Sequence, residues 1–447
     1  MRSPSRATSR SRSSSRWVRL SAVRNGRRSR RPPTANAEAY RLYLQGREYR
    51  ARPGNLRRNL EIAQDFYERA LVRDSGFALA HAALSDAHGQ ISWLRYDPSP
   101  ERLVRQQEAA EAALRFAPDL PQAHLAMGLV HHIGRRDWRA ALHEFRTALE
   151  GLPNDGELWE WIGYANRRLG NWDEVIAALD RVVALDPRNV NAVLEGGSTR
   201  FWLHLYPEAM EWYGRALALA PEYAEADVSR AWAWLLWQGR LDSLAAALAR
   251  QPPTADFGAL GSASAWRALS LFWERKPDSL LALLRRTSLR VFQGQFEYLP
   301  TALYGAWAHQ LRGDGMAAGL AFDSARVLLD SVVAVLPNDW RVHAARGLAL
   351  AGLGRQREAQ REAHWLQQSS VYRNDALEGP ELAEGRARIL AGTGQADAAL
   401  EEIDRLLAKP SWLSVHKLRL DPLWDPIRDD PRFQALLVKY ADPQPVH

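Results

Sequence analysis

The 447-residue chain contains no cysteine, which excludes disulfides, cysteine nucleophiles and thiolate metal sites. Long hydrophobic runs are also missing, since no segment approaches the roughly 20 apolar residues that a membrane-spanning helix requires. We therefore expect a soluble protein of the cytoplasm, with the periplasm left open as an alternative. β-Branched residues are sparse, while Ala, Leu, Arg and Glu dominate. That composition favours helix, because unbranched side chains lose little rotamer freedom there.

Acidic residues are absent from residues 1–34, a segment that holds eleven arginines. The rest of the chain has 48 Lys and Arg against 52 Asp and Glu, a balance of −4, so the net charge of +7 comes from this tail. A segment so rich in like charge cannot bury enough surface to fold, and we predict it to be disordered. Two interpretations stay open: a solvated extension, which we favour, and an arm that attracts nucleic acid or an anionic membrane.

Three prolines, Pro153, Pro187 and Pro221, follow one another at intervals of 34 residues. Small and apolar residues return at the same offsets before each proline. They are Gly163, Val175, Leu179 and Val182 in one unit, and Gly197, Ala209, Tyr213 and Ala216 in the next. This period is typical of paired antiparallel helices, with small residues where two helices cross and proline after the second helix.

We therefore predict an all-α fold, an α-solenoid or superhelix of about nine to ten tetratricopeptide-like hairpins. The hairpins between residues 222 and 337 are degenerate, and we expect breaks at residues 251–254 and between Gly294 and Pro300. The predicted organisation is a tail at 1–34, a first array at 35–255, a partly degenerate second array at 256–410, and a C-terminal cap with its tail at 411–447.

The segment PTANAEAYRLYLQGREY and the later ALVRDSGFALAHAALSDAH resemble the start of the repeat array in certain large bacterial regulators. Those regulators are serine/threonine kinases, adenylate-cyclase-like proteins and winged-helix proteins with a tetratricopeptide C-terminal half. The ending, from RNDALEGPELAEGRARILAG to RDDPRFQALLVKY, is similar too. In such relatives an effector domain precedes the repeats, whereas in this chain only the Arg/Ser tail does. The resemblance implies a sensor or partner-binding module and no kinase or cyclase activity.

Catalytic motifs are missing from the sequence. It has no phosphate loop of the GxxxxGK[ST] type, no kinase catalytic loop and no GxSxG nucleophile elbow. We predict that the protein is not an enzyme and uses no cofactor.

Two clusters of polar residues have a structural and a functional interpretation. His124, His131 and His132 share one predicted helix and His143 lies on the next, so together they could hold a metal ion. We favour the interpretation that these histidines are distributed by chance among core and groove positions, and we predict no metal site. An acidic cluster near the end is punctuated by prolines, and we interpret it as a capping turn; it contains Asp421, Asp425, Asp429 and Asp430.

The first helix of each stacked hairpin lines the concave surface, where an extended or helical ligand usually binds. The predicted groove residues, which Trp232 and Trp237 extend, are His132, Glu157, Glu160, Tyr164, Arg167, Arg168, Asn191, Ser198, Phe201 and Trp202. Exposed aromatic and arginine side chains carry much of the binding energy at interfaces. The alternative is that these side chains pack between neighbouring repeats.

We therefore predict a non-catalytic scaffold that binds a protein or peptide in this groove. The alternative is a detached sensor or regulatory module of a bacterial serine/threonine kinase or cyclase-type signalling system. Nucleic acid or an anionic membrane is expected as a partner only through residues 1–34. An acidic C-terminal peptide is not the expected ligand, because Glu160 and Tyr164 stand where carboxylate clamps use Lys and Asn.

Overall fold

A computed structural model describes residues 33–52, 56–94, 96–97, 99–257, 260–442 and 445–446. Helices dominate these residues, and the prediction of an all-α fold built from tetratricopeptide-like hairpins is confirmed. The chain divides into two compact units, one ending at Gly134 and one beginning at Arg135. Of the tail predicted to be disordered, residues 1–34, residues 1–32 lie outside the described residues, whereas Thr34 is buried and donates a hydrogen bond to Asp74. The divisions predicted at 255 and 410 stay predictions.

The first unit consists of two helical hairpins and one further helix. Its helices are α1 (Ala37–Arg50), α2 (Leu56–Arg73), α3 (Ala78–Trp93), α4 (Pro100–Phe116) and α5 (Pro121–Leu129). The side chain of Asn36 caps α1 by accepting hydrogen bonds from two backbone N–H groups. Helices α1 and α2 cross closely at Gly46, where a Cβ atom would overlap the Tyr67 ring. The chain leaves α5 through a π-helical turn, Val130–Arg135.

The second unit contains eighteen described α-helices and one short β-hairpin. The helices are α6 (Trp138–Gly151), α7 (Gly156–Leu169), α8 (Trp172–Leu185), α9 (Val190–Trp202), α10 (Tyr206–Leu219), α11 (Ala224–Gln238), α12 (Leu241–Arg250), α13 (Ala263–Trp273), α14 (Pro277–Arg286), α15 (Thr301–Leu311), α16 (Gly315–Val335), α17 (Trp340–Gly352), α18 (Gln356–Gln368), α19 (Ser370–Asn374), α20 (Gly379–Gly392), α21 (Ala396–Leu407), α22 (Val415–Leu420) and α23 (Pro431–Lys439).

Paired helices along the second unit make seven hairpins, from α7–α8 to α17–α18 and then α20–α21. With the two of the first unit, the described residues contain nine hairpins, which agrees with the predicted nine to ten. Helices α9 and α10 cross at Gly197, where a Cβ would lie 2.9 Å from the ring of Tyr213. Close packing of the two helices therefore requires the small residue that the 34-residue repeat predicts at position 197.

The degenerate part of the array departs from the hairpin pattern at two places. Residues 251–257 and 260–262 are largely irregular after α12, as the sequence Gln-Pro-Pro-Thr predicted. Strands β1 (Val291–Gln293) and β2 (Tyr298–Pro300) form an antiparallel hairpin between α14 and α15, in which Phe292 pairs with Leu299. Both departures lie at the predicted breaks.

The acidic cluster near the end does cap helices. Asp421 accepts a hydrogen bond from the Leu423 N–H at 3.0 Å and begins a 3-10 helix, Pro422–Ile427. Asp430 accepts one from the Arg432 N–H at 2.8 Å and begins α23. The structural interpretation of this cluster is thus confirmed for these two residues. None of the described helices is both long and apolar enough to cross a membrane.

Candidate functional site

The ten residues predicted for the groove divide by their exposure. Glu157 and Asn191 are exposed, and Glu160, Tyr164 and Ser198 are half-buried. The other five are buried, and they are His132, Arg167, Arg168, Phe201 and Trp202. His132 belongs to the first unit and the other nine to the second. The nine residues of the second unit therefore include both ligand-accessible and packed positions.

His132 packs inside the first unit, with its ring centroid 5.7 Å from that of Trp93. His124, one of the other histidines considered for a metal, has its Nε2 2.8 Å from the Pro118 carbonyl oxygen. The same bond, from a ring to a carbonyl six residues earlier, recurs at His81 and His343. These histidines close the turn before their helix. Among the described residues, no three His, Asp or Glu side chains form a group suited to a metal ion.

Arg168 is held by carboxylates from a distant part of the chain. Its Nη1 lies 2.7 Å from Asp375 Oδ2 and 2.7 Å from Glu378 Oε1. Arg136 Nη2 reaches the same two carboxylates at 2.7 and 3.0 Å. Burial opposes ionisation of Glu378, but the two guanidiniums outweigh it and hold its pKa at about 2. Arg168 is thus engaged in what we call the ion-paired cluster: Arg136, Arg168, Asp375 and Glu378.

Phe201 and Trp202 are also covered by a distant part of the chain, through ring contacts with Trp412, which follows α21. The Trp412 ring centroid lies 5.1 Å from that of Trp202 and 6.4 Å from that of Phe201. Together with the ion-paired cluster, this contact shows that residues 375–420, the return segment, cover the C-terminal ends of α7 and α9. The N-terminal halves of these helices stay in contact with solvent.

Several carboxylates lie near the N-terminal halves of α7 and α9, which the return segment does not cover. We call this surface the acidic face; its residues come from α7, α9, α11 and the turn before α11, and they are Glu157, Glu160, Tyr164, Asn191, Glu195, Tyr223 and Glu225. Three of its carboxylates are half-buried, those of Glu160, Glu195 and Glu225. Arg167 Nη2 lies 2.7 Å from Glu195 Oε2 and so balances one of these three. The half-buried part of the acidic face therefore carries an excess of negative charge.

The carboxylates of the acidic face repel one another. Burial, together with the charge of Glu195, raises the pKa of Glu225 to about 7. Burial also raises the pKa of Glu160, against the hydrogen bond that the Asn189 amide donates to it at 3.1 Å. The Tyr223 hydroxyl lies 2.8 Å from Asn191 Oδ1 and 3.3 Å from Glu225 Oε2. A cation placed among these groups would relieve the repulsion and favour the ionised form of Glu225.

Three members of the acidic face, Glu195, Tyr223 and Glu225, were not predicted from the sequence. A signal for Glu225 was available, because Glu157, Asn191 and Glu225 stand 34 residues apart at one position of the repeat. Extending the list of predicted groove residues by one further repeat of 34 residues would have included Glu225. Glu195 and Tyr223 occupy other positions, and no comparable signal marks them.

No protein-family model matches the chain, and no curated protein matches it significantly. Among solved structures, the chain is similar to PilW, a widely conserved type IV pilus biogenesis factor, at 17% identity over 48% of this chain and 93% of that one, with a TM-score of 0.39. It is similar to YrrB, described as a TPR protein with an unusual peptide-binding site, at 22% identity over 42% and 88%, with a TM-score of 0.29. It is also similar to TTC0263, a TPR protein of Thermus thermophilus, at 18% identity over 44% and 100%, with a TM-score of 0.35. At these values the likenesses say nothing of what this chain binds.

Proposed function

We propose that this chain is a scaffold that binds a protein or peptide partner on the acidic face, and that the partner presents a lysine or arginine side chain there. The observation that carries the proposal is the charge of the face. Three half-buried carboxylates lie on three successive first helices, α7, α9 and α11, and among the described residues they form one ion pair, that of Glu195 with Arg167. Unbalanced charge of one sign on an accessible surface attracts a partner of the opposite sign.

The geometry suits one basic side chain flanked by aromatic rings. Arg167 already lies over the Tyr164 ring, with Cζ 5.5 Å from the ring centroid. A second cation beside Tyr223 would donate charge-assisted hydrogen bonds to Glu225, whose Oε2 lies 3.3 Å from the Tyr223 hydroxyl. An extended peptide crossing α7, α9 and α11 would bring such a side chain to the face while its backbone meets exposed Asn191.

The proposal is tested with synthetic peptides of matched sequence in which the central residue is Arg, Lys, norleucine or Glu, with binding measured by fluorescence anisotropy. We expect the basic peptides to bind and the Glu peptide not to bind. The double variant Glu160→Gln/Glu225→Gln should weaken binding of the basic peptides by about tenfold or more, because it removes the two carboxylates that Arg167 does not balance.

The matched control for this double variant is Glu174→Gln, which changes an exposed glutamate on α8, a second helix. It should leave the affinity unchanged. Equal affinity for the basic and the Glu peptides, or unchanged affinity in the double variant, would contradict the proposal.

A second candidate function is a sensor or regulatory module of a kinase- or cyclase-type signalling system. The observation that favours it is a partly open cavity in the second unit, away from the N-terminal halves of α7 and α9. A neighbouring gene for a kinase or cyclase without its own repeat array would support this role, and a neighbourhood without any such effector would weaken it.

A further inference from the structure

The second unit contains a partly open cavity of about 150 Å³. It lies among α11, α13, α15, α17, α20, the turn between β1 and β2, and the chain around α22. Aromatic rings dominate its wall: Trp232 meets Trp266 at 4.8 Å and Trp273 at 5.5 Å between centroids, and Trp412 meets Phe296 at 4.8 Å. A cavity of this volume admits a molecule about as large as benzene.

Two of the three basic side chains in the cavity wall, Arg388 and Lys417, form ion pairs with neighbouring carboxylates. Arg388 Nη2 lies 2.7 Å from both Glu384 Oε1 and Asp421 Oδ2. Lys417 Nζ lies 2.8 Å from the other oxygen of Glu384. Among the described residues, these groups form ion pairs with one another. Burial raises the pKa of the nearby Glu381, and the charges of Lys417 and Arg388 oppose that rise without forming an ion pair with it.

Two further carboxylates face the cavity without such a partner. The third basic side chain, Arg341, is taken by Asp339, with Nη2 2.5 Å from Oδ2. Among the described residues, neither Glu297 nor Glu381 forms an ion pair; Glu381 Oε1 accepts only a long hydrogen bond of 3.4 Å from the Trp412 backbone N–H. Among the described residues around the cavity, five carboxyl groups thus stand against three cations, and the two carboxyl groups without an ion pair lie in a wall rich in aromatic rings.

The tryptophans add hydrogen-bond donors to this wall. Among the described residues, the indole nitrogens of Trp232, Trp273 and Trp412 have no acceptor, although Trp232 and Trp273 are deeply buried, with exposures of 5% and 3%. Buried indole N–H groups ordinarily find a partner. The wall therefore offers three things at once: aromatic faces, unbalanced carboxylates and unused donors.

We propose that this cavity binds a small organic cation, an alkylammonium compound that also carries a hydroxyl or carbonyl oxygen. Aromatic faces attract an ammonium group through the ring quadrupole, and more strongly when water is excluded. The carboxylates of Glu297 and Glu381 balance its charge, and the indole N–H groups meet its oxygen. Burial raises the pKa of each carboxyl to about 7, so a bound cation would favour their ionised forms. A bare metal ion fits poorly, since it would need oxygen ligands where the wall presents rings.

The test uses the full chain with choline as the probe and 3,3-dimethylbutan-1-ol as its neutral isostere, compared by isothermal titration calorimetry. We expect choline to bind at least about tenfold more tightly than the isostere, because only the cation gains from the rings and carboxylates. Glucose serves as a third ligand, to detect recognition of hydroxyl groups alone.

The variant for this site is Glu297→Gln/Glu381→Gln, which keeps the side-chain volumes and leaves no cation unpaired. It should lower choline affinity by about tenfold and leave the isostere unaffected. Glu401→Gln, an exposed change on α21, is the control and should change nothing.

Equal binding of choline and its isostere, binding of glucose in place of choline, absence of choline binding up to about 10 mM, or choline binding that survives the double variant would each overturn the proposal. The proposal does not depend on the peptide site, because the variants that test the acidic face leave Glu297 and Glu381 intact. Failure of one proposal is therefore distinguishable from failure of the other.

Discussion

The ion-paired cluster and the cavity are both places where carboxylates are enclosed in the second unit, and they treat those carboxylates in opposite ways. In the cluster, Asp375 and Glu378 each lie within 3.0 Å of two guanidiniums. In the cavity, Glu297 and Glu381 have no ion pair among the described residues. The pKa of Glu378 is lowered to about 2, whereas burial raises that of Glu297 to about 7.

This difference separates carboxylates that stabilise the fold from carboxylates that are candidates for binding a ligand. A buried ion pair is costly to break, because removal of one partner leaves the other charged and buried. A buried carboxylate without a partner costs stability at neutral pH, and such groups cluster at functional sites. The contrast between the cluster and the cavity leads to three predictions about stability, which follow in order of decreasing magnitude.

The largest effect is expected for Asp375→Ala. The substitution leaves Arg168 buried without Asp375 and should cost about 3–5 kcal/mol of unfolding free energy, measured by urea denaturation. Asp375 also caps the following turn, since its Oδ1 accepts hydrogen bonds from the Leu377 and Glu378 N–H groups. Asp375→Asn is the control: it keeps an oxygen at the cap but removes the charge, so it isolates the ion-pair contribution. A loss below about 1 kcal/mol for Asp375→Ala would show that the cluster does not hold the fold.

An intermediate effect is expected from pH at Glu297. Its pKa is raised from 4.5 to about 7 by burial, with Arg341 opposing the shift, so the folded protein binds this proton more tightly than the unfolded chain. The stability that this group contributes is full below about pH 4.5 and is lost as the pH rises through 7. Glu297→Gln should therefore gain stability relative to the parent chain over that window, by on the order of 1 kcal/mol.

The stability of the variant must be set against that of the parent at each pH. Burial lowers the pKa of His204 to about 4, so this residue makes the parent more stable as the pH rises through the same range. Glu378 behaves as the mirror image of Glu297, since its contribution is present above about pH 4.5 and is lost toward pH 2. A constant difference between Glu297→Gln and the parent from about pH 4.5 to 7.5 would contradict the raised pKa.

The smallest effect is expected for Arg275→Ala. Its Nη2 lies 2.7 Å from Asp425 Oδ1 and joins chain segments 150 residues apart, but the Arg275 side chain is 45% exposed. Exposed pairs contribute less than about 1 kcal/mol, and salt screens them. A loss of unfolding free energy comparable with that of Asp375→Ala would mean that separation along the chain, rather than burial, determines how much these ion pairs stabilise the fold.

Local spacing made the hairpins predictable from the sequence. The crossing of α9 and α10 at Gly197 follows from the 34-residue period, and the small residue Ala209 is fully buried as the register required. The breaks at residues 251–254 and near Gly294 were marked by proline and glycine, which act within a few residues. Each of these features depends on neighbours in sequence.

The covering of the groove was not predictable in this way. Arg168 and Trp202 were placed in the groove because the repeat register puts them on first helices, which line the concave surface of a stacked array. Their partners Asp375 and Trp412 are more than 200 residues away and follow no period. A pattern that repeats every 34 residues describes contacts between adjacent hairpins, and a contact between hairpins far apart in the array leaves no trace in it.

The return segment has a consequence for synthesis. In an open array each hairpin needs only its neighbours, so a chain leaving the ribosome can fold one hairpin at a time. In this chain Arg168 meets Asp375, 207 residues later. At about 5–20 residues per second, the ribosome needs roughly 10–40 s to deliver that partner. During this interval Trp202 and Trp232 lack the tryptophan that will cover them, and the nascent chain presents to chaperones a surface that the finished protein has closed.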